Sequence, residues 1–254
     1  MWFKKCVSIA LFLLLWEGIA RLELVPNEYF PPVTQILLAG WEMLRSGELL
    51  LAEAQTLLRA LAGGALSVVL GLVMALLGAR YELLARMWSP LVEIVRSIPP
   101  AAIVPLAIFA LGLTPTLFIG VVVFAGFTTV YLPALNALVN TEPVQIYVAR
   151  TLGYSRLETL FLVRLPAAWP EIFTGIRVTA GVALIAAVAS EMLAGKDGLG
   201  FLLFDTAFSL RISEMFAAML MAALNGILLN QLVVWLRNPF AGWQDRLAQL
   251  GDAR

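Results

Sequence analysis

The chain has 254 residues, 61% hydrophobic and 13% charged, with 17 basic and 17 acidic side chains and no net charge. That charged fraction is about half that of a soluble domain; with a mean hydropathy of +0.90 it excludes a water-soluble globule, which could not hide so much apolar surface. Balanced charge without a basic run argues against a nucleic-acid partner, and the absence of His beside a lone Cys6 excludes Ser-His triads, HExxH metal sites, His proton relays and intrachain disulfides.

Apolar blocks predict an all-α polytopic membrane protein, a single transmembrane domain over 1–254, with six spans near 7–20, 57–79, 91–111, 116–138, 172–193 and 214–236. Each approaches the length needed to cross about 30 Å of hydrocarbon. The first is the weakest. "MWFKK" and the apolar run after it have the outline of a secretory signal, but Trp16-Glu17 stand where small cleavage-site residues belong. Glu17 is expected to snorkel toward the outer surface. Between the first two spans, "VTQILLAGWEMLRSG" (Val33 to Gly47) has helical apolar spacing and predicts a short interfacial helix.

The second span carries Gly63, Gly64, Gly71, Ala75, Gly78 and Ala79, and the fifth Gly175, Thr179, Ala183, Ala187 and Ser190. Small residues let helix backbones approach closely in lipid; a channel, a transporter or a dimer would each use this.

Charge inside a membrane is expensive and marks candidate function. Glu93 and Arg96, three apart, share a helix face and can pair. They stand beside a break expected at Pro99-Pro100, where prolines free backbone carbonyls and kink the helix. One reading places Arg96 by an anion's path; the other makes the pair a structural pin. Glu191, at the outer end of the fifth span, is either a pathway residue or an interfacial one. Arg177 is expected to reach inner headgroups.

Positive residues set orientation. With the N-terminus inside, the inner segments hold Lys4, Lys5, Arg80, Arg86, Arg150, Arg156, Arg164, Arg237, Arg246 and Arg254; the outer ones hold Arg21, Arg45, Lys196 and Arg211. Both termini are then cytoplasmic, and so is the segment 139–171. There Thr141 is placed to cap a helix with Pro143 in its first turn, and Gly153 to end that helix in the left-handed conformation. Ser155 and Glu158 make an S-x-x-E capping box for a second helix, expected to stop at Pro166 in an elbow near Trp169. Two short helices joined by a glycine turn form either a docking surface or an ordinary structured loop.

The order Gly153, nine residues, then Val163-Arg164-Leu165-Pro166 resembles the "EAA" loop of ABC importer permeases, E-A-A-x3-G-x9-I-x-L-P. Ala149 matches the second Ala, and Val163 replaces Ile. Tyr147 stands where Glu is usual, and Val148 where the first Ala is usual. "SPLVEIVRSIPPAAIVPLAIFALGL" (Ser89 to Leu113), "SEMLAGKDGLGFLLFDTAFSL" (Ser190 to Leu210) and "LFLLLWEGIARLELVPNEYFPPVTQI" (Leu11 to Ile36) are similar to the branch that moves nitrate, sulfonates, taurine and related small anions.

The resemblance implies a permease subunit of a type I importer in a bacterial inner membrane, with alternating access driven by partners. These are cytosolic ATPase subunits carrying ATP and Mg, a second permease copy and an external solute-binding protein. The contact with the ATPase would fall on Tyr147, Val148, Ala149, Arg150, Thr151, Leu152, Gly153, Tyr154, Ser155 and Arg156, with Val163, Leu165 and Pro166 behind it. The pathway would draw on Glu93, Arg96, Pro99, Pro100 and Glu191. No cofactor is expected on this chain: it has no G-x-x-x-x-G-K-[ST], and its one Gly-Lys, Gly195-Lys196, is followed by Asp197. The alternative is a stand-alone secondary transporter or channel, which would want inverted repeats or a polar relay through several spans. A membrane enzyme has no His and no carboxylate cluster to work with.

Overall fold

The computed structural model describes residues 2–22, 26 and 28–251, with side chains over 7–22, 26 and 28–237. Among the described residues every regular element is helical, since in hydrocarbon each backbone polar group must be satisfied within the protein. The helices are α1 (Trp2–Arg21), α2 (Val33–Ser46), α3 (Glu48–Arg80), α4 (Glu82–Ser97), α5 (Pro100–Leu111), α6 (Pro115–Val139), α7 (Pro143–Thr151), α8 (Arg156–Ala194), α9 (Leu199–Phe208) and α10 (Ile212–Gly251). Among the described residues α3, α6, α8 and α10 up to Arg237 are long and apolar enough to cross a membrane; α4 with α5 adds a fifth if the pair is one span. The first expected span falls within α1. Of the residues counted for orientation, Arg254 lies outside the described residues, as do the side chains of Lys4, Lys5 and Arg246.

Three elements depart from expectation. The helix of the second span begins at Glu48, directly after Gly47 ends α2 at φ 82°. The third span is not one straight helix: α4 and α5 meet at 104°. A residue before proline is pushed out of the helical region, and both Ile98 (ψ 122°) and Pro99 (ψ 133°) precede one. Two successive extended residues end the helix instead of kinking it. The helix of the fifth span begins at Arg156 and runs through Pro166 and Pro170, so the expected stop at Pro166 does not occur.

The described chain forms two compact units, Met1–Thr56 with Glu191–Leu224, and Leu57–Ser190 with Asn225–Arg254. In the first, Ile36, Met43, Leu49, Leu199 and Leu202 form the core. Trp16 stacks on Phe30 at 5.1 Å and its indole N–H donates to the Pro31 carbonyl. Glu17 does not snorkel freely: its carboxylate accepts from the Thr34 N–H at 3.1 Å, the Thr34 hydroxyl at 2.9 Å and Arg21 at 2.7 Å. It thereby caps α2, whose own N-cap, Pro32, offers no side-chain bond.

The same unit holds a polar latch. Glu191 is fully buried, at a greater depth than an interfacial position would give. Its carboxylate accepts from the Thr56 hydroxyl at 2.7 Å and from the Gly200 N–H at 3.0 Å, while the Thr56 oxygen accepts from the Leu199 N–H at 2.7 Å. The acid thus sits at the N-terminus of α9, where free N–H groups and the helix dipole favour it. Gly198 makes room: its φ is +92°, and a Cβ there would stand 2.5 Å from the carboxylate.

In the second unit α6 is central; half of its most apolar stretch is buried, against 28% for α3. Small residues on its neighbours bring backbones against it. A Cβ on Gly71 would meet the Phe127 carbonyl at 2.6 Å, and one on Gly175 the Thr129 carbonyl at 2.9 Å. The small-residue stripes of α3 and α8 therefore pack within the chain. Thr129 and Thr179 share a hydrogen bond at 2.6 Å between α6 and α8. Arg177, an exposed residue, donates to the Asn230 side chain at 2.6 Å.

Thr56→Val and Glu191→Ala each strand buried donors or acceptors of the latch, at roughly 1–3 kcal/mol apiece. Because both act on one network, the double variant should lose less stability than the sum. Thermal unfolding of the four forms in detergent checks this; strict additivity would show that the two groups act separately.

Candidate coupling surface and pathway

The segment between α6 and the membrane part of α8 is built as a rigid turn. Pro143 occupies the first turn of α7, where its missing N–H costs nothing. Thr141 does not cap that helix; its hydroxyl donates back to the Leu138 and Ala137 carbonyls at 3.2 and 3.3 Å, closing α6 instead. Gly153 ends α7 at φ +81°. The Tyr154 N–H donates to the Ala149 carbonyl and the Gly153 N–H to that of Arg150, both at 3.0 Å, which is the paired bonding of a Schellman motif. Two residues on, the capping box is complete: the Ser155 N–H donates to the Glu158 carboxylate at 2.7 Å and the Glu158 N–H to the Ser155 hydroxyl oxygen at 3.3 Å. Contact with the Ser155 side chain and this backbone bond hold the exposed Glu158 carboxyl below its usual range.

Between the capping box and Pro166 the helix widens. Thr159–Arg164 is a π-helical turn, and the Leu165 N–H donates to the Leu160 carbonyl five residues back. A proline has no N–H and crowds the carbonyl four residues before it. Shifting the ladder by one residue just ahead of Pro166 relieves that crowding, which is how α8 survives the proline. Val163 lies in this turn, and Leu165 and Trp169 pack on the cluster of Tyr131, Leu138, Leu160 and Ile172. The expected shared face of the second helix divides: Leu160 is buried, while Leu157 and Phe161 stay exposed.

α7 packs against the π turn, and Ala149 is buried. Ala149 is thus the residue that lets α7 lie close, while its neighbours point away. Tyr147 is 64% exposed and Leu152 66%, and Val144 and Val148 are exposed with them. Arg150, Thr151, Gly153, Tyr154, Ser155 and Arg156 are exposed too. Apolar side chains presented together on a turn between charged residues mark a contact surface.

A cavity of about 710 Å³ lies in the second unit, walled by the α4–α5 break, α6 and α8. Its polar lining is Arg96, Ser97, Thr128 and Thr129, and its apolar wall on α8 is Val178, Val182 and Ile185. Pro100 lines it, Pro99 starts the turn beneath, and Glu93 accepts from Arg96 at 2.7 Å. Both members of that pair are about half exposed, and an exposed pair is worth only about 0–1 kcal/mol. Glu191 does not line this cavity. Sequence reasoning missed Ser97, Thr128 and Thr129; the only signal was hydroxyls recurring inside apolar blocks.

α4 presents three faces. Val92 is buried; Leu83, Met87, Leu91 and Ile94 form an exposed apolar stripe; Glu82, Arg86, Glu93 and Arg96 form an exposed charged one. A helix with core, apolar and charged faces suits a position between protein, lipid and an aqueous space.

Residues 67–241 match the family described as binding-protein-dependent transport system inner membrane component. The chain is 29% identical over 241 residues to the taurine transport system permease protein of Escherichia coli (strain K12), covering 93% of this chain and 88% of that one. It is 27% identical over 244 residues to a putative aliphatic sulfonates transport permease protein of Bacillus subtilis (strain 168), covering 96% and 88%. With the nitrate import permease protein of Synechocystis sp. (strain ATCC 27184 / PCC 6803 / Kazusa) it shares 32% over 186 residues, covering 72% and 66%. Its fold is similar to that of a chain in the inward-facing MetNI methionine ABC transporter, with a TM-score of 0.68 at 19% identity over 77% of this chain and 97% of that one. With its apolar helices and the pattern around Gly153, the chain therefore belongs to the binding-protein-dependent transport system inner membrane component family, the permease subunits of ABC importers.

Proposed function

We propose that this permease moves a small anion of the nitrate, sulfonate or taurine class by alternating access, driven by ATPase subunits docked on the turn centred on Gly153. One observation carries this reading: α8 is continuous from Arg156, at that turn, to Val178, Val182 and Ile185 in the cavity wall. At 1.5 Å per residue, Arg156 to Val182 is about 40 Å of unbroken helix. Movement imposed at the turn reaches the cavity through a rigid rod.

The remaining parts follow the family. Two ATPase chains supply ATP and Mg and contact Tyr147, Val148, Leu152 and their neighbours. A second permease copy closes the pathway, an external solute-binding protein delivers the solute, and six spans leave both termini cytoplasmic. In the cavity Arg96 supplies the cation that an oxyanion needs and Thr128 lines the same space, while the Ser97 and Thr129 hydroxyls donate to the Glu93 and Gly126 carbonyls. Relatives that handle taurine, sulfonates and nitrate support this class. Nothing favours a stand-alone channel or secondary transporter.

A mild-detergent pulldown of the tagged chain from its host, with mass spectrometry, should recover a P-loop ATPase in stoichiometric amount; a clean homo-oligomer that gains no ATPase on crosslinking would contradict the reading. Gly153→Pro cannot adopt φ +81° and loses the N–H bonded to Arg150. It should cut ATP-driven uptake in proteoliposomes about tenfold or more with the chain still inserted, and wild-type uptake would sink the coupling assignment. Arg96→Gln should lower uptake several-fold, whereas Glu93→Gln, which leaves the cation in place, should not; equal losses would mean that the pair is structural.

A further inference from the structure

A second cavity, about 660 Å³, opens beside the coupling turn and gathers Arg80, Arg150, Arg156 and Arg164 around Glu82 and Tyr154. The lone carboxylate does not neutralise them, because Glu82 accepts from Arg86 at 2.6 Å. Among the described residues none of the four guanidinium groups has a carboxylate partner. Arg80 is placed over the Tyr81 ring at 4.7 Å, and its Nε is buried with nothing to donate to. Like charges gathered in one pocket repel, and a buried donor without an acceptor costs stability. A tetrahedral oxyanion answers both, since the guanidinium fork matches phosphate oxygens.

The position selects the source. Arg80 closes α3, a 33-residue apolar helix, and Tyr81 follows it, the basic and aromatic pairing of a membrane interface. Next in the chain to Glu82, which lines the pocket, Leu83 begins with Met87 the exposed apolar stripe of α4. A free phosphate would use only the arginines, and an acidic protein segment would leave the stripe bare. We propose that this pocket binds the phosphate headgroup of an anionic phospholipid, with an acyl chain along Leu83 and Met87. Basic pockets between membrane helices take such headgroups. The lipid would tie the end of α3, α7 and the head of α8 together beneath the coupling turn. Only a membrane setting is required, not the substrate class proposed above.

The test uses the importer purified in detergent, stripped of lipid and offered phosphatidylglycerol, phosphatidylcholine or inorganic phosphate, with bound lipid read by native mass spectrometry. Phosphatidylglycerol should be retained about tenfold over phosphatidylcholine, and Arg80→Gln with Arg164→Gln should remove that preference. Equal retention of the two lipids overturns the proposal, as does displacement by inorganic phosphate at matched concentration, which would assign the pocket to a free oxyanion. Loss of an ATPase subunit with unchanged lipid retention also overturns it, giving the arginines to the protein partner. Should the double variant fail to assemble, the wild-type competition alone decides, and Arg164→Lys, which keeps the charge, should retain the preference.

Discussion

The structure depends on one helix surviving two prolines. α8 carries Pro166 and Pro170 and still runs unbroken from Arg156 to Ala194. Its start is held by the reciprocal bonds of Ser155 and Glu158, and its passage past Pro166 by the π-helical turn at Thr159–Arg164. A stop at Pro166 would have separated the turn at Gly153 from the rest of the helix on a hinge. With the ladder shifted by one residue instead, the turn becomes the head of a rod whose middle lines the cavity. A π turn costs geometry that an ordinary helix would not. Here that cost is offset by continuity between the turn at Gly153 and the cavity wall.

Polar groups inside the protein divide by task. The Glu191, Thr56 and Gly200 latch is fully paired and buried, and it fixes the start of α9. Thr129 with Thr179 joins α6 to α8, and the exposed Arg177 joins α8 to α10 through Asn230. Arg96 differs: its partner is half exposed and it borders a cavity with free volume. A saturated buried network rigidifies, whereas a charge on an open cavity remains available to a solute. The two groups thus stand in different surroundings, although both read alike as charges inside apolar sequence.

Much of the fold was legible because it rests on local rules. Among the described residues apolar length located four spanning helices and the bent pair of α4 and α5, the turn at Gly153 followed from its position at a helix end, and the box of Ser155 and Glu158 from its spacing. What was not legible depended on tertiary partners. Proline statistics stop a helix at Pro166, and no local signal announces a π turn. Thr141 has the chemistry of an N-cap, yet the nearer free carbonyls of α6 claim its hydroxyl. Glu17 looked like a snorkelling residue because Thr34, whose N–H and hydroxyl it accepts from, is distant in sequence. The fate of Glu191 was hidden for the same reason, with Thr56 135 residues away; the spacing of Gly195, Gly198 and Gly200 was the one available hint.

The central claim is that the turn at the head of α8 meets the ATPase and moves with it. The most direct measurement replaces Ser155 by Cys in a chain whose single native thiol, Cys6, is Ser, and crosslinks the assembled importer with a short bifunctional reagent, with and without ATP. The account predicts a crosslink to an ATPase subunit whose yield changes when ATP is bound. A crosslink to the chain's own second copy alone, or a yield indifferent to nucleotide, would contradict it.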